Sequence, residues 1–341
     1  MTHGEYDVVV VGAGPCGLAA AISLERAGLR TGVFDAGCVV QAITQYPAYA
    51  TFFSTAEKLS LGGLPFVIAE AKPTRRDALA YYRAVVTYFG LTVRQYEQVT
   101  GLDGAEGAFV VHSRKGRDDR RTTCRAVVVA TGYWGSPNLL GVPGESLPHV
   151  SHAFREGHHA FQQDVAVVGG GNSAAEAALD LWRNGARVTL VHFGPTFDKK
   201  IKPWILPDLT NRIAEGSIKA RWKARVRSIE EGLLHLQLTD SATDSIPADH
   251  VYLLTGYSPN VELLRSAGVP IDAQTGIPRH DPSTLETTVP GLFVAGVVTA
   301  GFDANKVFIE NGRYHGDRIV ARLQGKPAPD TPGVSRDLDG G

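Results

Sequence analysis

The sequence predicts an α/β protein built on two parallel-sheet units, and three observations carry that expectation. First, the β-branched run at 7–11 (DVVVV) leads into a glycine turn, the helical stretch GLAAAISLERAG and a second strand, TGVFDAG. Such a run reads as a strand buried on both faces, and strand, turn, helix and strand together make a βαβ unit. Second, the same order returns at 164–192, DVAVVGGGNSAAEAALDLWRNGARVTLVH, so one supersecondary unit occurs twice. Third, 341 residues are long for a single hydrophobic core. The expected architecture is a pair of Rossmann-like dinucleotide-binding domains.

In the first unit, Gly12, Gly14 and Gly17 stand as GxGxxG between strand and helix. The first glycine makes the tight turn, the second lets backbone approach phosphate, and the third allows close helix packing. The helix N-terminus then aims free N–H groups and the positive end of its dipole at a pyrophosphate. Asp35 closes the second strand, where a carboxylate accepts hydrogen bonds from a ribose diol. The second loop, Gly169-Gly170-Gly171-Asn172-Ser173-Ala174, fits the permitted GxGxxA variant. Its second strand ends in LVHFGPTFDKKIKPW, with no acid at His192 to repel a ribose 2′-phosphate. His192, Lys199, Lys200 and Lys202 offer positive charge for one, which favours NADPH over NADH; as single residues these lysines read equally as a solvated stretch.

Two dinucleotide units in one chain suggest a flavin in one and a nicotinamide in the other, FAD first and NADPH second. The expected boundaries are 1–152 with 288–341 for FAD, and 153–287 for NADPH. Between the loops, FVVHSRKGRDDRRTTCRAVVVATG reads as a charged hairpin entering an apolar strand, its charge run a solvated turn. The residues after Gly325 read as a tail.

Composition narrows the class of function. A formal net charge of −1 gives no field for nucleic acid or an anionic membrane. Hydrophobic content of 43% is ordinary for a globular protein. DVVVVGAG is too short for a membrane span or signal segment. The three cysteines, Cys16, Cys38 and Cys124, are odd in number and widely spaced, so the reading is a cytoplasmic protein without a disulfide framework or a zinc site.

Longer stretches narrow the family. VVVATGYWGSP (127–137) resembles the ATG segment of two-dinucleotide flavoproteins, and GLFVAGVVTAG (291–301) resembles their strand beneath the flavin, although Gly296-Val297 replaces the usual Gly-Asp. The whole is similar to the low-molecular-weight thioredoxin reductase type. Thioredoxin reductase itself is excluded because 153–287 contains no cysteine, and the glutathione reductase type because CVVQAI offers no second thiol near Cys38. GAGPCG (12–17), QYPAYATFFSTAEKLSLGGLPF (45–66), KKIKPWILPD (199–208) and AGFDANKVFIENGRYHG (300–316) resemble the bacillithiol disulfide reductase family over about residues 7–323. That resemblance implies FAD, NADPH, a homo-oligomer, and reduction of a low-molecular-weight disulfide without a protein dithiol. It departs from the thioredoxin reductase arginine pair, which here reads Phe193-Gly194.

The expected cofactor contacts follow. Around the first loop they are Gly12, Gly14, Pro15, Cys16, Gly17, Asp35, Ala36 and Gln41. Tyr46, Pro47, Thr51 and Phe53, with Tyr49 and Phe52 beside them, would form a flavin wall, though aromatic core packing explains any one of them equally. Ala130, Thr131, Gly132, Gly296 and Val297 would reach the flavin from their strand ends. Lys306 and Val307, at the opening of a helix, would face the flavin's N1–C2=O edge. Gly169, Gly171, Asn172, Ser173, His192, Lys199 and Lys202, with Gly256 and Tyr257, would hold the nicotinamide cofactor.

Cys16 is the expected catalytic residue. At a helix N-terminus its thiolate would be stabilised, attack a small disulfide and form a mixed disulfide. The alternative is a cysteine filling a small-residue position. His315 is read as a polar contact at an oligomer interface, with a proton source as the other possibility. A ferredoxin or flavodoxin NADP reductase, a flavin monooxygenase and a non-catalytic flavin redox sensor are the competing functions. The monooxygenase fingerprint is not met by HAFREGHHAFQQD.

Overall fold

The computed structural model describes residues 5–198, 201–239 and 241–329; Lys199 and Lys200 lie outside them. The chain forms two compact units. The first comprises Met1–Thr44, Ala50–Ser136 and Ser258–Gly341, the second Gln45–Tyr49 and Pro137–Tyr257.

The first stretch runs β1 (Val8–Val11), α1 (Pro15–Arg26), β2 (Thr31–Phe34), α2 (Gln41–Thr44), α3 (Ala56–Leu59), α4 (Arg75–Phe89), β3 (Thr92–Arg94), β4 (Gln98–Asp103), β5 (Phe109–Lys115), β6 (Asp118–Cys124) and β7 (Ala126–Val129). The second unit runs β8 (Val150–Ser151), β9 (Asp164–Val168), α5 (Asn172–Arg183), β10 (Arg187–His192), α6 (Leu206–Ala214), β11 (Lys219–Trp222), β12 (Ala224–Glu230), β13 (Gly232–Leu238), β14 (Thr243–Ala248) and β15 (His250–Leu253). The chain then returns to the first unit with α7 (Glu262–Ser266), β16 (Leu292–Val294), α8 (Ile309–Gly312) and α9 (His315–Leu323).

Both expected βαβ units are present. The first sheet is parallel in the order β16-β7-β1-β2-β3, the second parallel in the order β11-β10-β9-β15-β8. In each, the strand before the glycine loop is central, and every residue of β1 and β2 is buried as the apolar runs require. Three-stranded antiparallel sheets, β4-β5-β6 and β12-β13-β14, complete the units. The charged segment is the β5–β6 hairpin, closing with Lys115 opposite Asp118.

The chain changes units at 136/137 and 257/258 instead of 152/153 and 287/288. Packing explains the difference. β8 pairs with β15 in the second sheet, whereas Leu264 and Val269 are buried in the first unit's core with Val127 and Val294. A Glu286–Phe293 bridge further ties that return segment to β16.

Helix α4 shows how local chemistry fixes an element. Thr74 and Asp77 form a capping box, Gly90 ends the helix at φ 61°, and Ala78, Tyr81, Tyr82 and Val85 make its buried stripe. The helix expected to open at Lys306 is absent. A single 3-10 turn, Ala304–Lys306, precedes the four-residue α8. Among the described residues, no helix is long and apolar enough to cross a membrane.

Candidate functional site

The first glycine loop has the geometry of a phosphate cradle. Gly12 adopts φ +114°, and a Cβ there would lie 2.3 Å from the Ala130 carbonyl oxygen, so only glycine fits. A Cβ on Gly17 would meet the Gly12 oxygen at 2.0 Å, which is why α1 can start so close to the turn. Gly14 differs: its φ is −70° and a Cβ there would meet nothing within 4 Å. Steric demands of the fold do not require that glycine, but close approach of a dinucleotide would. Gly14 also caps the 12-residue α1 without a side-chain hydrogen bond, leaving the first turn open to an anion.

Asp35 is fixed beside this loop. Its Oδ2 accepts from the Ala13 N–H and its Oδ1 from the Gly37 N–H, both at 2.7 Å. Burial pushes its pKa up and the two N–H bonds pull it back. Each carboxylate oxygen keeps a lone pair for a ribose hydroxyl. These features fit the adenosine diphosphate half of FAD.

Cys16 lies in a niche of glycines. A Cβ on Gly312 would sit 2.6 Å from Cys16 Sγ, and one on Gly296 would sit 3.3 Å from it. Burial pushes the thiol up to about 12, and the charge of Glu310 adds to the shift. This reverses the expected effect of the helix N-terminus: desolvation outweighs the dipole, and the thiol is neutral. Glu310 itself accepts a hydrogen bond from Ser54 Oγ.

His315 has an internal role. The Gly296 N–H donates to His315 Nδ1 at 3.0 Å, which fixes the neutral tautomer with its proton on Nε2. Burial lowers its pKa to about 4, helped by the Arg318 charge. At 7% exposure, it is not the surface contact expected from sequence. Its bond holds Gly296, φ 73°, at the point where the family aspartate is missing.

Other expected contacts around the first unit are dispersed. Gln41 turns back so that its Oε1 accepts from Cys38 Sγ at 3.0 Å and from the Cys38 N–H at 3.2 Å, and Ala36 is exposed. Thr51 bridges to Thr74, and Phe53 is half exposed with Lys72 Nζ 5.2 Å from its ring centre. Tyr46 and Pro47 belong to the second unit. There the Ala48 N–H donates to the Arg155 carbonyl at 3.1 Å, and Arg155 donates to Gln45 Oε1 at 2.8 Å. The aromatic wall is therefore not one cluster within either unit. Gly132 is left-handed at φ 76° just beyond β7, after Ala130 and Thr131. Val307 approaches Gly312, while Lys306 is exposed. Cys124 is 2% exposed, and burial pushes its thiol up to about 12, as a packing residue should be.

The second loop repeats the cradle. Gly169, φ +150°, would place a Cβ 2.5 Å from the Leu254 oxygen. Gly171 caps the 12-residue α5 without a side-chain bond, and Ser173 is exposed in its first turn. Asn172 Oδ1 accepts from the Lys202 N–H at 2.8 Å. Of the residues expected to supply positive charge, Lys199 and Lys200 lie outside the described residues and the other two are committed elsewhere. Lys202 Nζ pairs with Glu176 at 2.5 Å. His192 is 4% exposed, its pKa is lowered by burial against the opposing charge of Asp198, and its ring fills the space a Cβ on Gly170 would need. Asp198, which the sequence did not single out, stands 3.8 Å from His192 Nε2 and near Gly171. At the end of the unit, Gly256 is left-handed at φ +88°, and the Tyr257 hydroxyl donates to the His152 carbonyl at 2.9 Å. Glu310 and Gly312 were also missed. Their proximity to Cys16 arises from tertiary packing, and no spacing in the sequence signals it.

The sequence profile of the pyridine nucleotide-disulphide oxidoreductases matches residues 9–296. The bacilliredoxin reductase Bdr of Bacillus subtilis (strain 168) is 42% identical over 320 residues, covering 94% of this chain and 98% of that protein. The solved bacillithiol disulfide reductase Bdr (YpdA) from Bacillus cereus superposes with a TM-score of 0.91 at 42% identity, covering 94% of this chain and 99% of that one. Its counterpart from Staphylococcus aureus gives 0.87 at 39% identity, covering 94% and 98%. A doubled Rossmann scaffold, two glycine cradles and similarity along nearly the whole chain lead to one assignment: the chain belongs to the pyridine nucleotide-disulphide oxidoreductases, within their bacillithiol disulfide reductase Bdr family.

Proposed function

We propose that this enzyme carries FAD on its first unit, binds NADPH on its second, and reduces a low-molecular-weight disulfide, bacillithiol disulfide foremost. The observation that carries the reading is the repeated cradle: the same central βαβ unit and the same glycine turn, with an acid after β2 and none directly after β10. Gly12, Gly14, Gly17 and Asp35 would hold FAD, and Gly169, Gly171 and Asn172 the NADPH pyrophosphate. FAD when bound supplies a two-electron relay between nicotinamide and disulfide. Scattered cysteines suit a cytoplasmic enzyme without a dithiol of its own, and the resemblance to the bacillithiol disulfide reductases implies a homo-oligomer.

Cys16 has two readings. In the first, its sulfur attacks one sulfur of the substrate disulfide. The substrate S–S bond breaks and one thiol leaves with the Cys16 proton; two electrons and one proton from NADPH, with a second proton from solvent, then cleave the mixed disulfide, releasing the second thiol and restoring the Cys16 thiol. Its place in the phosphate loop supports this. In the second, Cys16 only packs, which is favoured by its half-buried, neutral thiol seated against Gly312 and Gly296. Stopped-flow half-reactions of Cys16→Ala separate them. Attack by sulfur requires flavin reduction by NADPH to survive while disulfide turnover falls at least a hundredfold; wild-type turnover leaves the packing role alone.

NADPH oxidation by purified yellow protein, assayed with bacillithiol disulfide, other small disulfides, bacilliredoxin and ferredoxin, tests the substrate class. Turnover with a disulfide and none with ferredoxin is expected. Preference for ferredoxin would favour the electron-transfer reductase, and no turnover a redox sensor.

A further inference from the structure

The lysines and histidine expected to read a ribose 2′-phosphate are committed elsewhere or lie outside the described residues, yet the structure brings two other cations to the same sheet edge. In parallel β10 and β11, His192 is paired with Trp222, so the segments after both strands emerge together at the carboxyl edge. That edge is where dinucleotides bind in such sheets, and the adenosine ribose lies beyond the second strand of the βαβ unit. The segment after β10 begins Phe193-Gly194, and the segment after β11 is Lys223, Ala224 and Arg225.

These segments are joined. The Lys223 N–H donates to the Gly194 carbonyl at 2.9 Å, and the Lys223 carbonyl accepts from the Thr239 N–H at 3.1 Å and from Thr239 Oγ1 at 3.0 Å. The three bonds hold Lys223 in the left-handed region at φ 54°, a conformation that costs energy for a residue with a side chain. Arg225 places its guanidinium 4.9 Å from the ring centre of Phe193, which is 60% exposed. Stacking of this kind fixes the guanidinium plane while leaving its N–H fork available. Among the described residues, neither Lys223 nor Arg225 has a carboxylate partner. Their neighbour Arg221 is tied to Asp244 at 2.7 Å.

We propose that Lys223 and Arg225, the latter held by Phe193, form the 2′-phosphate reader of the second unit and set its choice of NADPH over NADH. The forked guanidinium would take two phosphate oxygens and the ammonium a third. This inference rests on the NADPH reading of the second cradle.

The test is equilibrium binding by calorimetry, with 2′,5′-ADP and 5′-AMP as probes, on holoprotein of the wild type, Arg225→Ala, Lys223→Ala and Arg225→Lys. Wild type should bind 2′,5′-ADP at least tenfold more tightly than 5′-AMP. Each alanine variant should lose about tenfold for 2′,5′-ADP alone, and Arg225→Lys should lose less. Both side chains are exposed, so thermal unfolding should be unchanged and serves as the folding control. If wild type discriminates and both alanine variants discriminate equally well, this assignment is wrong and the NADPH reading stands. If wild type binds both probes alike, the NADPH reading fails and the assignment fails with it.

Discussion

At Cys16 the decisive quantity is space. Gly312 carries no side chain where a Cβ would fall 2.6 Å from Sγ, while its next neighbours, Val307 and Gly296, are at ordinary contact distances of 3.4 and 3.5 Å. Gly312→Ala should therefore destabilise the protein by about 1–3 kcal/mol, as overpacking does. In a Cys16→Ala background the obstructing atom is gone, and the same substitution should cost much less. Denaturant unfolding of the four proteins in this cycle measures the coupling; equal costs in both backgrounds would mean that the two residues do not touch. His315 makes a different prediction. Its folded pKa of about 4 lies below the ordinary 6.5, so the unfolded chain binds the proton first as pH falls. The stabilisation is whole above about pH 6.5, declines between 6.5 and 4, and amounts to about 3 kcal/mol over that window. Protonation also removes the Nδ1 lone pair that accepts the Gly296 N–H. His315→Gln should flatten the pH dependence of stability there relative to wild type, and an unchanged slope would place the titration elsewhere.

Among the elements, the β1–loop–α1 junction separates glycines needed by the fold from one needed by a ligand. Gly12→Ala sets a Cβ against the Ala130 carbonyl in a left-handed conformation and should prevent stable folding. Gly14→Ala meets nothing within 4 Å, so that protein should fold with a near-wild-type circular dichroism spectrum and purify without FAD. A yellow Gly14→Ala protein would show that no phosphate approaches this backbone closely. Such junctions are legible in sequence because the turn, the glycines and the helix N-terminus are consecutive. The charge reader was not. Lys202 is neutralised by Glu176 on α5, and Arg225 meets Phe193 from a different sheet; neither pairing leaves a trace in local spacing. The broken helix near Lys306 was missed for a similar reason. ANKVFIENG leads toward the last helix, yet Asn311 Oδ1 accepts from the Phe308 N–H at 2.7 Å and Asn311 Nδ2 donates to the Lys306 carbonyl at 2.9 Å, and these bonds compete with a continuous ladder.

For the whole molecule, the doubled architecture was readable from two apolar runs and two glycine loops, whereas the boundaries were not. Residues 258–287 contain one short helix and isolated bridges, so burial of Leu264 and Val269 with the first sheet and the Glu286–Phe293 bridge to β16 assign them. At this scale the enzyme would carry electrons from NADPH to a small disulfide. The most direct test is an anaerobic spectrophotometric titration of the purified holoprotein, first with NADPH and then with bacillithiol disulfide. One equivalent of NADPH per bound FAD should bleach the yellow absorbance, and one equivalent of bacillithiol disulfide should restore it with release of two thiols. A colourless protein that cannot be reconstituted with FAD would rule out this electron path, as would a bleached flavin that no small disulfide reoxidises.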